Sequence, residues 1–394
     1  MKKWLWLFCW YCSIIQLSAQ GCISLSEALE RAKNQQVQLQ VQRLYLQQQT
    51  ILKDAGKGHP AAGLGYGFEE LGVAGTGVHS LYFNQSFNMP QVAQSRANLQ
   101  TALVVAGNSQ LENIALQLER AVARQYQQIV FFKNQGLLNQ ELLAVYDSIV
   151  LIAQKRAAVG ETGQLPLLTT QTAQQQLRLQ QLQNQQQITS SIVALQLLLY
   201  DSTFNDINDS LLQFSLLENR VASSQNHPLV AQIEQQKQVL EYQKNVLKSQ
   251  WLPQLDLGVQ LQVVEGTFPN VAGQIGWSVP LFKQGLNAQI KGNEMAQKQL
   301  MVQAEGMAQQ IELEQKNAWL QIQSLQQQIQ YLETEILPTL IAQQNLLRRS
   351  YQLGEINYLN VLQSLEQILA TRQQYLELLL KLNIQLIDYK YYSY

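Results

Sequence analysis

Between residues 254 and 282 the apolar residues of this chain alternate with polar or very small ones, a period of two in a sequence that otherwise keeps a helical rhythm. Leu255, Leu257, Val259, Leu261 and Val263 fall on one side of an extended strand, and Asp256, Gly258, Gln260 and Gln262 on the other. After a turn region around Gly266 to Asn270 the pattern resumes with Ile275, Trp277, Val279 and Leu281 against Gln274, Gly276 and Ser278, and Pro280 closes it. The stretch reads as a hairpin with one greasy face. Each arm is about the 9 to 11 residues that a tilted strand needs to cross a bilayer, and a Trp near one end suits a membrane interface. On that reading Leu257, Val259, Ile275, Trp277 and Val279 face lipid, while Gln260, Gln274 and Ser278 face a lumen. A hairpin resting on a soluble core has the same alternation.

A second stretch behaves alike. Gly63, Gly65 and Gly67 alternate with Leu64, Tyr66 and Phe68, and residues 80–89 carry Leu81, Phe83 and Phe87 before Pro90. No helix start follows the glycines directly, so a phosphate-binding loop does not fit. Around the hairpins the spacing is helical. Ser24 and Glu27 have capping-box spacing, the helical pattern runs on to Asp54, and Pro60 stops it. Leucine and valine recur every three or four residues from Leu99 through Ile152, and no proline occurs between Pro90 and Pro166, so a single straight helix from Pro90 to the turn at Val159 would rise roughly 100 Å. A turn at Val159 to Gly163 leads to Pro166 and a returning helix through Leu199.

The order then repeats. Residues 201–225, rich in Asp, Asn and Ser, read as a linker; Pro228 opens a helix, the hairpin of 254–282 follows, and a long helical stretch reaches a turn at Gly354 before a last helix from about Tyr358 to Lys390. Gln36 and Pro228, Pro60 and Pro253, Pro90 and Pro280, and Gly160 and Gly354 stand at near-constant offsets of 192, 193, 190 and 194 by subtraction. The expected layout is an internal duplication, with a first repeat over 20–200 and a second over 226–394. Pro338 belongs to the second copy alone and should kink or break its helix.

Composition narrows the function. The net charge of −1 argues against an electrostatic grip on nucleic acid, and glutamine fills polar positions in a chain with only 14% charged residues. Lys2 and Lys3 before an apolar run from Trp4 to Leu17, then Ser18 and Ala19, form a signal peptide over 1–19, or to 21. Export leaves Cys22 as the single mature cysteine, preceded by a poor lipobox in Ala19, Gln20 and Gly21. Catalysis has no visible machinery. His59, His79 and His227 are far apart in sequence, Asp206, Asn208 and Asp209 lack the glycine and glutamate of a calcium loop, and no nucleophile signature or methionine relay occurs. We expect no enzyme, no cofactor and no resident metal.

The element order, Gly160 with Glu161 and Gly354 with Glu355 at helical turns, Ile336–Leu337–Pro338 leading to Tyr351 and Gly354, and the phrase from Tyr82 to Pro90 together resemble the TolC-like outer-membrane efflux channel family. The likeness covers essentially the whole mature chain. Asn84, Gln85, Ser86 and Phe87 before Pro90 look most like members serving heavy-metal cation pumps. The resemblance implies a mainly α fold with a small β part, in which a homotrimer builds a long α-helical barrel and a transmembrane β-barrel with four strands per chain. It implies an outer-membrane channel reaching into the periplasm, with an adaptor (membrane fusion protein) and an inner-membrane pump as partners. Gly160, Glu161, Gly354 and Glu355 become adaptor-docking tips. The aperture positions are Leu359, Asn360, Leu362 and Gln363, where Asn360 and Gln363 stand in place of the acidic ring that well-studied channels carry. A type I protein secretion duct and a periplasmic coiled-coil scaffold are the alternatives.

Elementary physics favours three chains. Four strands cannot close a barrel, and open edges are not tolerated in lipid. About eight strands leave an interior filled by side chains, whereas about twelve hold water. A helical tunnel wet inside and outside also accounts for the neutral amides on both faces.

Overall fold

The computed structural model describes residues 21–56, 58–69, 77–209, 226–264 and 270–394, so the expected signal peptide and most of the expected linker lie outside the described residues. In chain order the elements are β1 (Gly21–Ile23), α1 (Leu25–Gln35), α2 (Val37–Ala55), β2 (Gly63–Glu69), β3 (Val78–Phe87), α3 (Pro90–Ala158), α4 (Gln164–Leu199), β4 (Phe204–Ile207), α5 (Pro228–Ser249), β5 (Gln254–Val264), β6 (Asn270–Ser278), α6 (Gln284–Tyr331), a π-helical turn (Leu332–Ile336), α7 (Leu337–Gln352) and α8 (Tyr358–Tyr392). The fold is mainly helical with a small β part. Starts of corresponding elements, Val37 and Pro228, Gly63 and Gln254, Pro90 and Gln284, Gln164 and Tyr358, stand 191, 191, 194 and 194 residues apart by subtraction.

Two differences from the sequence reading concern the N-terminal side. The helix expected through 24–54 is broken at Gln36, which is extended, so that α1 precedes the repeated order and α2 is the counterpart of α5. Ser24 does cap α1 as its spacing predicts: its hydroxyl accepts from the Glu27 N–H, and the Glu27 carboxylate accepts from the Ser24 N–H. The stretch read as an irregular linker contains β4, which pairs in parallel with β1. A short alternation of four residues is too brief to stand out from a loop in sequence, and its partner is about 180 residues away. Below this pair the buried Tyr126 hydroxyl reaches the Ile23 carbonyl at 3.2 Å and the Asp209 carboxylate at 2.8 Å, and burial pushes its pKa well up.

The chain forms two compact units, each drawing on both halves of the sequence. The first takes its described residues from 21–37, 115–209 and 313–393. Its core includes Leu138, Leu142, Tyr146 and Ile149 of α3, Leu340 and Leu347 of α7, and Val361, Leu365 and Ile368 of α8. Their spacing of three and four residues puts one stripe of each helix inward, and each fully buried side chain contributes about 1.5–3 kcal/mol. Asp388 is buried there between Arg120, whose Nε donates at 2.8 Å, and Arg124; Arg120 also lies over the Tyr391 ring at 4.5 Å. Pro338 does not break the helix but is preceded by a π-helical turn. It lacks an N–H and crowds the Thr334 carbonyl four residues back, and the helix relieves this by the wider turn at Leu332–Ile336.

The second unit takes its described residues from 38–56, 58–69, 77–114, 226–264 and 270–312 and holds a four-stranded antiparallel sheet in the order β2-β3-β5-β6. Beside it α2 meets α3 through the buried Gln42, whose amide donates to the Gly107 carbonyl at 2.9 Å. In the first unit Gln174, also buried, donates to Asp147, and Asn184 to the Phe132 carbonyl at 2.9 Å. Part of the amide content therefore stitches helices together rather than facing water.

Candidate functional site

Register puts the alternation of both hairpins onto common faces. Leu64 of β2, Phe83 of β3 and Val259 of β5 are cross-strand neighbours, as are Tyr66, Leu81, Leu261 and Val271, and Leu257 pairs with Ile275. All are exposed: Ile275 keeps 76% of its surface, Leu64 74% and Trp277 59%. An apolar face spanning four strands and left uncovered by the described residues is far beyond what a water-soluble monomer tolerates. The opposite face carries Ser80, Tyr82, Asn84, Ser86, Asp256, Gln260, Gln262, Gln274 and Ser278. The Tyr82 ring lies across Gly65; a Cβ there would come within 2.1 Å of that ring and make it move.

Of the five residues expected to face lipid, Leu257, Val259, Ile275 and Trp277 share the exposed apolar face. Val279 is exposed but lies one residue beyond β6, so strand register does not assign its side. In the Asn84 to Phe87 phrase, Ser86 donates to Asp256 at 2.5 Å, and Gln85, on the apolar side, donates to the Pro60 and Ser86 carbonyls at 2.9 and 2.8 Å. A polar side chain on a greasy face is thus satisfied by backbone at the end of the strand.

The two glycines expected at the tips lie in the first unit, at two turns of identical construction. Gly160 has φ +75° and Gly354 φ +77°. The Glu161 N–H donates to the Arg156 carbonyl and the Gly160 N–H to that of Ala157; the Glu355 N–H donates to Ser350 and the Gly354 N–H to Tyr351. Each is a Schellman cap, which requires a left-handed residue at the glycine. The two turns meet at Arg156, a residue that sequence spacing did not single out. Its Nη1 donates to the Tyr351 carbonyl at 3.3 Å, its Nη2 pairs with Glu161 at 2.5 Å, and its guanidinium lies over the Tyr351 ring at 5.3 Å. A Cβ on Gly354 would sit 3.7 Å from Arg156 Nη2, whereas one on Gly160 would meet nothing within 4 Å. Glu161 is thereby held, and Glu355 is exposed.

At the start of α8 the Asn357 side chain accepts from the Asn360 N–H at 2.9 Å and caps the helix. Leu359, Asn360 and Gln363 then share an exposed stripe, whereas Leu362 is 7% exposed and belongs to the core of its unit. These positions come from the family resemblance, counted from Gly354, and not from spacing; the inward turn of Leu362 follows from its neighbours Val361 and Leu365. The histidines have separate roles: His59 stacks edge-on with Phe87 at 5.3 Å, the Tyr66 hydroxyl meets His79 Nδ1 at 2.6 Å, and the buried His227 caps α5. Among the described residues no three His, Cys, Asp or Glu side chains are grouped to hold a metal ion.

Residues 221–388 match the family model described as outer membrane efflux protein. Across nearly the whole chain the fold is similar to solved membrane channels. CusC, from a study of folding and transmembrane channel formation, is 20% identical with TM-score 0.78, covering 94% of this chain and 91% of its own. The outer membrane protein VceC of Vibrio cholerae is 16% identical with TM-score 0.74, over 94% and 95%. The CmeC outer membrane channel of Campylobacter jejuni is 14% identical with TM-score 0.77, over 94% and 85%. Comparison with curated proteins returns no match.

Proposed function

We propose that this chain, an outer membrane efflux protein by the match of its second repeat and by its fold, is one of three identical subunits of a passive duct through the outer membrane. An inner-membrane transporter delivers cargo, and a periplasmic adaptor joins transporter and duct. The observation that carries this reading is the four-stranded sheet, with an uncovered apolar face, a polar opposite face, and β2 and β6 at its edges. Lipid satisfies the first, a water-filled lumen the second, and strands of neighbouring copies the third. The helices then form the periplasmic tunnel. Gly160, Glu161, Gly354 and Glu355 are the adaptor-docking tips, with Arg156 holding the two turns together. Leu359, Asn360 and Gln363 line the aperture, and Leu362 packs the helix that carries them.

Low-resolution imaging of the detergent-purified protein tests the reading. A hollow cylinder with three-fold symmetry is expected, together with retention in membranes under carbonate extraction. A solid rod that carbonate washes off would establish the coiled-coil scaffold instead.

A further inference from the structure

The two hairpins carry formal charge of a single sign. Residues 58–90 and 254–282 contain Glu69, Glu70, Asp256 and Glu265 and no lysine or arginine, in a protein whose 27 basic and 28 acidic residues nearly cancel. Among the strand residues of the four-stranded sheet the carboxylates are Glu69 and Asp256, and register puts both on the polar face, at opposite ends of it. Asp256 lies in β5, an inner strand, between Ser86 of β3 and Gly276 of β6. The Ser86 hydroxyl donates to its Oδ1 and the Ser278 hydroxyl to its Oδ2, both at 2.5 Å. Among the described residues no lysine or arginine forms an ion pair with it, so neutral hydroxyls hold the carboxylate in place without cancelling its charge.

We infer that Asp256 determines the ion selectivity of the duct: three copies of the sheet closed on one lumen carry three Asp256 carboxylates at one level, a ring that admits small cations in preference to anions. The inference rests on the proposed duct. Twelve strands about 4.8 Å apart and tilted by about 40° enclose a backbone radius of roughly 12 Å. With side chains pointing inward, a carboxylate on the wall stands roughly 10 Å or less from the axis. That matches the Debye length of about 10 Å at 0.1 M salt and is well within the 30 Å or so at 0.01 M. The field of the ring therefore fills the lumen at low salt and collapses onto the wall at about 1 M, where the length is about 3 Å. The exposed aperture positions Asn360 and Gln363 add no charge of their own. Hydrogen bonding alone, as a clip across three strands, is the competing role for Asp256. Asp256→Asn separates the two, since an amide still accepts from and donates to the serine hydroxyls.

The full-length protein is reconstituted in planar bilayers, and reversal potentials are read across a tenfold KCl gradient from 0.01 to 0.1 M. The unmodified channel is expected to prefer potassium over chloride. Asp256→Asn is expected to lower the permeability ratio at least threefold, and Asp256→Glu to keep it; Asp256→Ser serves the same comparison if the amide variant does not assemble. Conduction by the neutral variants with an unchanged ratio overturns the ring while leaving the duct standing. Absence of any conductance from the unmodified protein overturns the duct and, with it, the ring.

Discussion

Arg156 of α3 donates to the backbone carbonyl of Tyr351, 3.3 Å away in space and 195 residues away in sequence. One guanidinium therefore ties together the last turns of two helices whose glycine caps are built alike. Its side chain is 17% exposed, a position where a charged hydrogen bond is worth about 1.5–3 kcal/mol. In Arg156→Ala, amide hydrogen exchange at residues 351–356 is expected to accelerate roughly ten- to a hundredfold, with the proposed trimer unaffected. Unchanged protection there would show that the helical core alone fixes the second tip.

The two faces of the sheet are expected to respond differently to the same charge. Val259→Arg places a cation on the apolar face and should cost roughly 2–4 kcal/mol if that position lies near the bilayer midplane, reducing assembled protein. Gln260→Arg, its neighbour in sequence, points to the polar face and should assemble normally. Equal loss in both, measured as heat-resistant oligomer on gels, would refute the face assignment.

Replacing Gly160 and Gly354 together with valine forces a β-branched residue into left-handed backbone, at about 1–2 kcal/mol each. Both turns lie at helix ends, so the strain stays local. If the proposed docking role holds, the proposed trimer is expected to persist while pump-dependent resistance is lost. Retained resistance would leave the glycines as caps and nothing more.

Trivalent cations probe the aperture. With Asn360 and Gln363 on the exposed stripe of α8, low concentrations added from the periplasmic side are not expected to block conductance. The proposed Asp256 ring does not change this, because carboxylates roughly 15 Å apart across a twelve-stranded barrel would be too far apart to hold one ion between them. Asn360→Asp with Gln363→Asp should create the block. Strong block of the unmodified channel would point to Glu355 as the lining residue.

Stability should also depend on pH through Glu141. Arg372 donates to it twice, at 2.7 and 2.8 Å, and these hydrogen bonds hold its carboxyl below the usual carboxylate range despite partial burial. A depressed folded-state pKa gives stability that is present above the unfolded value and lost as pH falls through the folded one. Thermal midpoints of the detergent-solubilised protein should therefore drop more steeply below pH 4.5 in the parent than in Arg372→Gln. The contribution is modest because the Glu141 side chain is 48% exposed. Parallel midpoint curves would remove the pair from the acid response.

Much of this molecule is written locally. Period-two alternation marks β5 and β6, Ser24 with Glu27 marks the start of α1, Pro338 marks the π-helical turn, and matched punctuation marks the repeated order of elements. Each depends on backbone geometry and side-chain spacing within a few residues, which a sequence displays directly. The tertiary structure decided what depends on contacts between distant residues. It broke the first helix at Gln36, paired Gly21–Ile23 with Phe204–Ile207, buried Gln42 and Gln174 against neighbouring helices, and turned Leu362 inward from the stripe of Leu359, Asn360 and Gln363. It also brought Arg156 to Tyr351 and set Asp256 between Ser86 and Ser278. Spacing along a chain records which face of its own element a residue occupies; which residue of another element meets it there is settled only when the elements pack.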